Sequence, residues 1–358
     1  MVILIGTKGQ LIKMAGVMLE LKRRSIDYLY VQTDQQPSFN RVLEEKFGLK
    51  NPDLNLRNEQ KDLKNIYEIP IFILKVLINA FKNRNKIKKY KILITQGDTI
   101  STLLAVIIGK LFNMKVAHIE SGLRSFNIFH PFPEELVRII SVHFSDILFP
   151  PSDWAKGNLK KYEGKKIIVN TFQNTVYDAL CEFVSPKEDD PRNSNYIVSA
   201  IHRQETIYNK ERFKKCIEVI INASKLKKVK YIIHKPSEAQ LRKFKLYDII
   251  KNNKNIEIMG YLDYITFMNL VRDSAFVITD GGGLQEETYY LNVPCLLLRE
   301  RTEREVGLGE TAFLSELKDE KINYFFENYY NFRRKNEFKR YYPSKIIVDT
   351  LIDYLKSI

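Results

Sequence analysis

Cysteine is scarce: the 358-residue chain has only Cys181, Cys216 and Cys295. Their number is odd, they lie far apart, and no CxxC pair or nearby histidine accompanies them. That excludes a disulfide framework and a thiolate metal finger, and predicts reduced core thiols in a cytoplasmic protein. Long apolar runs are also missing. A membrane-spanning helix needs about 18 uninterrupted apolar residues; the nearest stretch, IFILKVLINA from Ile71 to Ala80, is short and broken by Lys75. The opening MVILIGTKGQ passes directly from apolar residues to a glycine turn, without the basic, apolar and small-residue regions of a secretory signal, so neither export by that route nor stable membrane insertion is expected. What the chain does have is 44% hydrophobic and 12% aromatic residues, too many for a disordered tail, and a length of 358 residues, enough for two ordinary domains. Lysine and arginine total 57 against 43 acidic residues, a formal net charge of +14 that calls for an anionic partner without naming it.

Short β-branched runs alternate with segments of helical period. VILI (Val2 to Ile5), YLYVQ (Tyr28 to Gln32), KILIT (Lys91 to Thr95), KVAHI (Lys115 to Ile119), DILF (Asp146 to Phe149) and KIIV (Lys166 to Val169) read as strands. The pattern restarts with YIVSAI (Tyr196 to Ile201), KYIIH (Lys230 to His234), NIEIMG (Asn255 to Gly260), AFVITD (Ala275 to Asp280) and VPCLLL (Val293 to Leu298). Between the two series, SPKEDDPRNSN at 185–195 has the composition of a linker. The prediction is an α/β protein of two Rossmann-like domains, with mostly parallel sheets facing a central cleft. The boundaries expected are 1–172 for the first domain, 173–340 for the second, and 341–358 for an amphipathic helix positioned to cross back to the first.

In such sheets the residues just past each strand carry chemistry. After the first strand come Gly6-Thr7-Lys8-Gly9-Gln10, with Lys13 one turn into the helix, a combination of close backbone approach and positive charge that suits phosphate or carboxylate. A plain tight turn explains the same residues. The next informative turns are Gln96-Gly97-Asp98-Thr99 and Glu120-Ser121-Gly122-Leu123-Arg124. Pro131-Phe132-Pro133-Glu134-Glu135 then opens a helix that carries Arg138. Asp98, Glu120 and Glu134 thus reach one sheet edge from three successive loops, beside basic groups, as acid–base work requires. In the second series His202-Arg203 follows a strand, suiting proton transfer and anion contact. Asp280-Gly281-Gly282-Gly283-Leu284-Gln285-Glu286-Glu287 offers outward backbone N–H groups for a diphosphate, with Glu287 placed to accept ribose hydroxyls.

Taken together, these motifs resemble the UDP-N-acetylglucosamine 2-epimerase family, whose members have the two-domain GT-B fold. The resemblance spans nearly the whole chain: Gly6-Thr7-Lys8 with Ile12-Lys13-Met14-Ala15, Gln96 to Thr99, His118 to Arg124, Pro131 to Glu135, Asn174-Thr175-Val176, His202-Arg203, and Gly282 to Glu287 with Thr302-Glu303-Arg304. It implies interconversion of UDP-GlcNAc and UDP-ManNAc by anti elimination of UDP and re-addition after C2 is reprotonated on the other face, with no nicotinamide, metal or other cofactor. By the same resemblance Asp98, Glu120 and Glu134 are the acid–base carboxylates, and His202 stands near the departing diphosphate. Lys8, Lys13, Arg124, Arg138 and Arg203 surround the sugar and phosphates, Gly282 and Gly283 form the amide cradle, and Glu287 takes the ribose. A UDP-sugar substrate, a homodimer and a role in surface polysaccharide are further family expectations.

The chain departs from the family pattern in places. Lys8 stands for arginine, Gly9-Gln10 for Pro-Glu, Gly281 for serine, Val137 for asparagine, and Gln204-Glu205-Thr206 for Arg-Glu-Asn. Loss of an arginine fork and of a hydroxyl leaves room for a modified UDP-N-acetyl sugar. Thr33-Asp34-Gln35-Gln36-Pro37-Ser38 lacks the Thr-Gly-Gln-His-Arg-Glu pattern tied to an activating second UDP-GlcNAc, so activation of that kind is not expected. Two other enzymatic outcomes use the same residues: a hydrolysing epimerase that releases ManNAc and UDP, and a GT-B glycosyltransferase with a UDP-sugar donor. Three carboxylates exceed what inverting transfer needs. The lysine-rich stretches 82–91, 160–166 and 225–230 raise nucleic-acid binding, but their interspersed Asn, Ile and Tyr read as solvated surface, and no nucleic-acid partner is expected.

Overall fold

Among the described residues every strand pairing is parallel. The structure, a computed structural model, describes residues 1–59, 61–63, 66–128, 132–185, 190–302, 304–334 and 338–358. Pro131 and Glu303 of the motifs above, and 186–189 of the expected linker, lie outside the described residues. The chain divides into two units, Met1–Ala179 with Arg340–Ile358, and Leu180–Lys339.

In the first unit, β1 (Val2–Ile5), β2 (Leu29–Gln32), β3 (Leu54–Asn55), β4 (Ile92–Gln96), β5 (Lys115–Ile119), β6 (Ile147–Phe149) and β7 (Ile167–Ile168) form one sheet ordered β3-β2-β1-β4-β5-β6-β7. The helices met along this stretch are α1 (Lys8–Arg23), α2 (Pro37–Lys46), α3 (Ile69–Lys82), α4 (Arg84–Ile87), α5 (Ile100–Leu111), α6 (Glu134–Phe144), α7 (Asp153–Gly157) and α8 (Val176–Phe183). The order reverses between β1 and β4, which makes the crevice beyond their carboxyl ends the switch point. β1 is buried at every residue, as a parallel strand covered by helices must be. α1 and α5 start where they do because Thr7 and Thr99 each build a reciprocal cap with the residue three positions on, Gln10 and Thr102. At Gly122, φ is +83° and a Cβ would stand 2.2 Å from the Ala155 carbonyl oxygen, so the turn after β5 needs glycine.

In the second unit, β8 (Tyr196–Ala200), β9 (Lys228–Ile232), β10 (Ile256–Met259), β11 (Val277–Thr279), β12 (Cys295–Leu297) and β13 (Ala312–Leu314) are ordered β10-β9-β8-β11-β12-β13. Its helices are α9 (Gln204–Ile207), α10 (Lys210–Ala223), α11 (Lys235–Lys243), α12 (Tyr247–Lys251), α13 (Tyr264–Arg272), α14 (Gly282–Leu291) and α15 (Asp319–Asn328). The switch point here falls between β8 and β11. Pairing of β8 with β9 begins at Tyr196 opposite Lys228, so β9 starts two residues before the expected Lys230 and ends at Ile232, leaving His234 to open α11. Phe276 and Phe325 are fully buried and meet edge to face at 5.3 Å; truncating such a ring to alanine costs about 3–5 kcal/mol.

The last helix, α16 (Pro343–Lys356), belongs to the first unit. It packs on α1, with Arg24 Nη1 2.5 Å from Asp349 Oδ1 and the Ser344 amide donating to Asp178 Oδ2 at 2.7 Å. The division between the units falls between Ala179 and Leu180 inside α8, where the sequence suggested 172/173.

Cys216 and Cys295 are buried and Cys181 is half-buried; burial pushes the Cys295 thiol up to about 12. Among the described residues no helix is long and apolar enough to cross a membrane, and no group of His, Cys, Asp and Glu is arranged to hold a metal ion.

Candidate active site

The predicted residues of the first unit stand at the carboxyl ends of β1, β4 and β5 and at the start of α6. Glu120, immediately after β5, adopts a left-handed φ of +65°, a strained conformation that costs about 1–3 kcal/mol in a non-glycine residue. Donors fix its buried carboxylate: Lys13 Nζ lies 2.7 and 2.6 Å from its two oxygens, Asn174 Nδ2 donates at 3.0 Å, and Gln96 Nε2 donates as well. Lys13 reaches it from one turn into α1, as its position predicts.

Asp98 accepts from Arg138 through Nε at 2.8 Å and Nη2 at 2.5 Å. Arg138 also approaches Glu135 Oε2 at 3.4 Å. Glu135 is fully buried and takes Arg124 Nε at 2.5 Å and the Ser125 amide at 2.9 Å. Burial alone would raise its pKa; the Ser125 N–H and the two arginines outweigh burial and hold the carboxyl below its usual range. Arg124 and Arg138 are therefore tied into one network with Asp98, keyed by Glu135. Glu134, the first residue of α6, differs: its Oε2 is buried and has no hydrogen-bond partner among the described residues. The N-terminus of α6 is a favourable place for its charge.

His118, on β5, is fully buried and its Nε2 meets the Gly97 carbonyl oxygen at 2.8 Å. Burial lowers its pKa, so the ring is the neutral tautomer that donates from Nε2 and pins the turn carrying Asp98. Lys8 opens α1, half-buried, with its amide donating to Gln36 Oε1 at 3.3 Å. Gln10 is buried: its Oε1 accepts the Gly6 amide at 2.9 Å, and its Nε2 donates to the Gln96 carbonyl at 2.7 Å and Thr102 Oγ1 at 3.0 Å. A glutamate there would lose those two donations, which accounts for glutamine in this chain. Val137, the other departure in this unit, is buried and brings no hydrogen-bonding group.

In the second unit, Asp280 follows β11 and is fully buried, its two oxygens each accepting one backbone N–H at 3.0 Å, from His202 and from Arg203. The loop after β8 is thereby bound to the loop after β11 across the switch point. His202 Nδ1 lies 3.8 Å from Asp280 Oδ1, and the ring meets His234 edge-on with centroids 5.7 Å apart. Arg203 pairs with Glu205. Gly282 and Gly283 are the first residues of α14, so their N–H groups have no intrahelical acceptor and can receive an anion. Thr279 Oγ1 accepts the Gly281 amide at 3.0 Å. Glu287 faces the buried Tyr264 hydroxyl, whose pKa is raised well above normal first by burial and then by that carboxylate.

The predicted residues thus cluster at two switch points, one in each unit. Sequence reasoning assigned no role to Glu135, Gln10, His118 or Asp280. It also missed Gln285 and Glu286, which hold the 302–306 loop: Gln285 Nε2 donates to the Arg304 and Val306 carbonyls at 2.9 Å, Thr302 Oγ1 donates to Gln285 Oε1 at 2.8 Å, and Glu286 pairs with Arg304. Their sequence signal was a polar residue in a buried stretch of helix, legible only as an unassigned polar position.

The family model for UDP-N-acetylglucosamine 2-epimerase matches residues 19–345. The chain is similar to the UDP-N-acetylglucosamine 2-epimerase of Methanocaldococcus jannaschii, 31% identical over 343 residues covering 89% of each chain. It is similar also to that of Bacillus subtilis, 32% identical over 311 residues, 85% of this chain and 79% of the other. The crystal structure of the M. jannaschii protein in complex with UDP-GlcNAc and UDP matches with a TM-score of 0.83 at 30% identity, over 98% of this chain and 99% of that one. The chain belongs to the UDP-N-acetylglucosamine 2-epimerase family.

Proposed function

We propose that the chain interconverts UDP-GlcNAc, or a modified UDP-N-acetyl sugar, with its manno epimer by eliminating and re-adding UDP. The observation that carries the reading is the carboxylate set of the first unit: Asp98 and Glu120 each hold a cation, while Glu134 has no ion pair, and its Oε2 no hydrogen-bond partner, among the described residues. In the forward step a carboxylate takes the C2 proton, the C1–oxygen bond to UDP breaks, and the electron pair left at C2 becomes the double bond of 2-acetamidoglucal. On return a proton reaches C2 from the opposite face and the UDP oxygen re-forms its bond to C1. Glu134 is the carboxylate best placed to take a proton, since Arg138 and Lys13 already occupy the other two. The second unit takes the nucleotide: Gly282 and Gly283 cradle the diphosphate, His202 stands beside it, Arg203 adds charge as UDP departs, and Glu287 binds the ribose.

The reading extends to a cytoplasmic homodimer that supplies surface polysaccharide. Buried free thiols support the compartment. An apolar stripe on α3 supports the dimer: Ile71 is 60% exposed, Leu74 59%, Ile78 45% and Phe81 45%, at spacings that share one helix face. Incubation with UDP-GlcNAc, followed by NMR of the anomeric protons, tests the activity. A second UDP-linked sugar is the expected product; free ManNAc or an unchanged substrate contradicts it.

A further inference from the structure

A cavity of about 500 Å³ opens at the edge of the first sheet opposite its switch point. It is bounded by the end of α5, the start of β5, the end of α6, the segment leading into β7, and Tyr354 on α16. We infer that this cavity is a second binding site, for a phosphorylated small molecule. The inference is independent of the activity proposed above.

Four lysines, Lys110, Lys115, Lys165 and Lys166, line the cavity against one carboxylate, Asp146. Ordinary structural needs account for part of that charge. Lys166 donates to the carbonyls of Val142 at 2.8 Å, His143 at 2.5 Å and Ser145 at 2.6 Å, closing the open end of α6. Lys110 sits 2.6 Å from Asp146 Oδ2, which also accepts the Val116 amide at 2.9 Å. Burial alone would raise the Asp146 pKa; these contacts outweigh it and hold the carboxyl below its usual range. The acid is thereby neutralised and has little repulsion left for an anion.

The remaining groups have no such explanation. Lys115 is only loosely engaged, 3.6 Å from Asp146 Oδ1. Lys165 lines the cavity; its amide donates to the Tyr162 carbonyl at 3.1 Å, and its ammonium makes no ion pair or hydrogen bond among the described residues. Ser145 stands at the cavity wall with 1% exposure, and its Oγ has no hydrogen-bond partner among the described residues. An unpartnered buried hydroxyl costs about 1–3 kcal/mol. The His143 imidazole, whose ring contacts are with Phe144 and Tyr162, offers a further donor. Lysines as point charges with an imidazole suit phosphate oxygens. The volume exceeds that of a bare phosphate and lies within the about 300–1,000 Å³ of small-molecule sites, with Tyr354, Phe144 and Ile167 as walls for the rest of the ligand.

Inorganic pyrophosphate is the probe, and the His143 ring signals, assigned by their loss in His143→Asn, are the local readout. UDP is present throughout at saturating concentration. In the wild-type protein those signals should shift saturably, and in the Lys115→Glu/Lys165→Glu double variant the same titration should require about tenfold more pyrophosphate. No shift in the wild type, or an unchanged titration in a double variant that retains the wild-type melting temperature, overturns the proposal. If the double variant fails to fold, the wild-type titration alone decides, because the His143 signals do not depend on what the switch-point residues bind.

Discussion

The ring of His202 occupies the space that a side chain at Gly281 would need. A Cβ there would stand 2.8 Å from His202 Cε1 and 3.3 Å from Nε2. Gly281 has φ −92°, a conformation open to any residue, so the ring alone is the obstacle. Gly281→Ser is expected to push His202 off its rotamer, at about 0.5–1.5 kcal/mol, and to lower turnover by about threefold to tenfold. Gly281→Ala separates size from hydroxyl: equal losses mean the ring was displaced, whereas a gain with serine alone would mean that the missing hydroxyl binds phosphate.

Of the three carboxylates, Glu134 is the one with no ion pair among the described residues, while Asp98 and Glu120 each carry one. Glu134→Gln keeps its shape at the start of α6 and removes its ability to take a proton. Turnover should fall by about 10²- to 10⁴-fold with the melting temperature nearly unchanged. Retention of more than a tenth of the activity would assign the proton transfer elsewhere.

Asp280 accepts two backbone N–H groups while fully buried. Asp280→Ala leaves both unpaired, and at about 1–3 kcal/mol each the loss of stability should be large enough to read in a denaturant midpoint. Loss of activity without loss of stability would show that Asp280 does more than bind the two loops.

Asp34, after β2, is buried, and its Oδ2 accepts the Asn58 amide at 2.9 Å. Burial is the main cause that lifts its pKa from 3.8 to about 6. A raised carboxyl pKa means the folded state holds the proton between about pH 4 and 6 while the unfolded state has released it. Stability from this group therefore rises as pH falls through 6 and is absent above it. Denaturation of wild type and Asp34→Asn at about pH 8 and pH 5 should show the wild type gaining on the variant at the lower pH; a constant difference contradicts the assignment.

The exposed face of α3 makes the proposed dimer testable. Leu74→Glu with Ile78→Glu puts two charges on that face and should convert a dimeric sedimentation profile to a monomeric one, without loss of helix content. An unchanged profile would place the interface on another surface.

Much of this was legible because a parallel sheet delivers the residue after each strand to one edge. Runs such as VILI are apolar on both faces, and Asp98, Glu120 and His202 follow from where such runs stop. Leu54–Asn55 and Ala312–Leu314 were not legible as strands, since two or three residues carry no period and pair only because a neighbouring strand presents its edge. β9 was placed two residues late because Lys228 and Lys230 interrupt the apolar run, although their stems lie along a paired strand. Glu135, Gln10 and Asp280 escaped for another reason. Each is defined by partners from a different loop, and an isolated sequence position does not reveal that Gln10 meets Gln96 or that Asp280 meets His202 and Arg203.

In the proposed reaction UDP leaves and returns while the C2 proton is exchanged. The direct measurement is NMR of the sugar nucleotides after incubation with UDP-GlcNAc in heavy water. Deuterium at C2 of both epimers, still linked to UDP, is the predicted result. Recovered, unlabelled and unconverted UDP-GlcNAc under conditions where the protein is folded and binds UDP would contradict it.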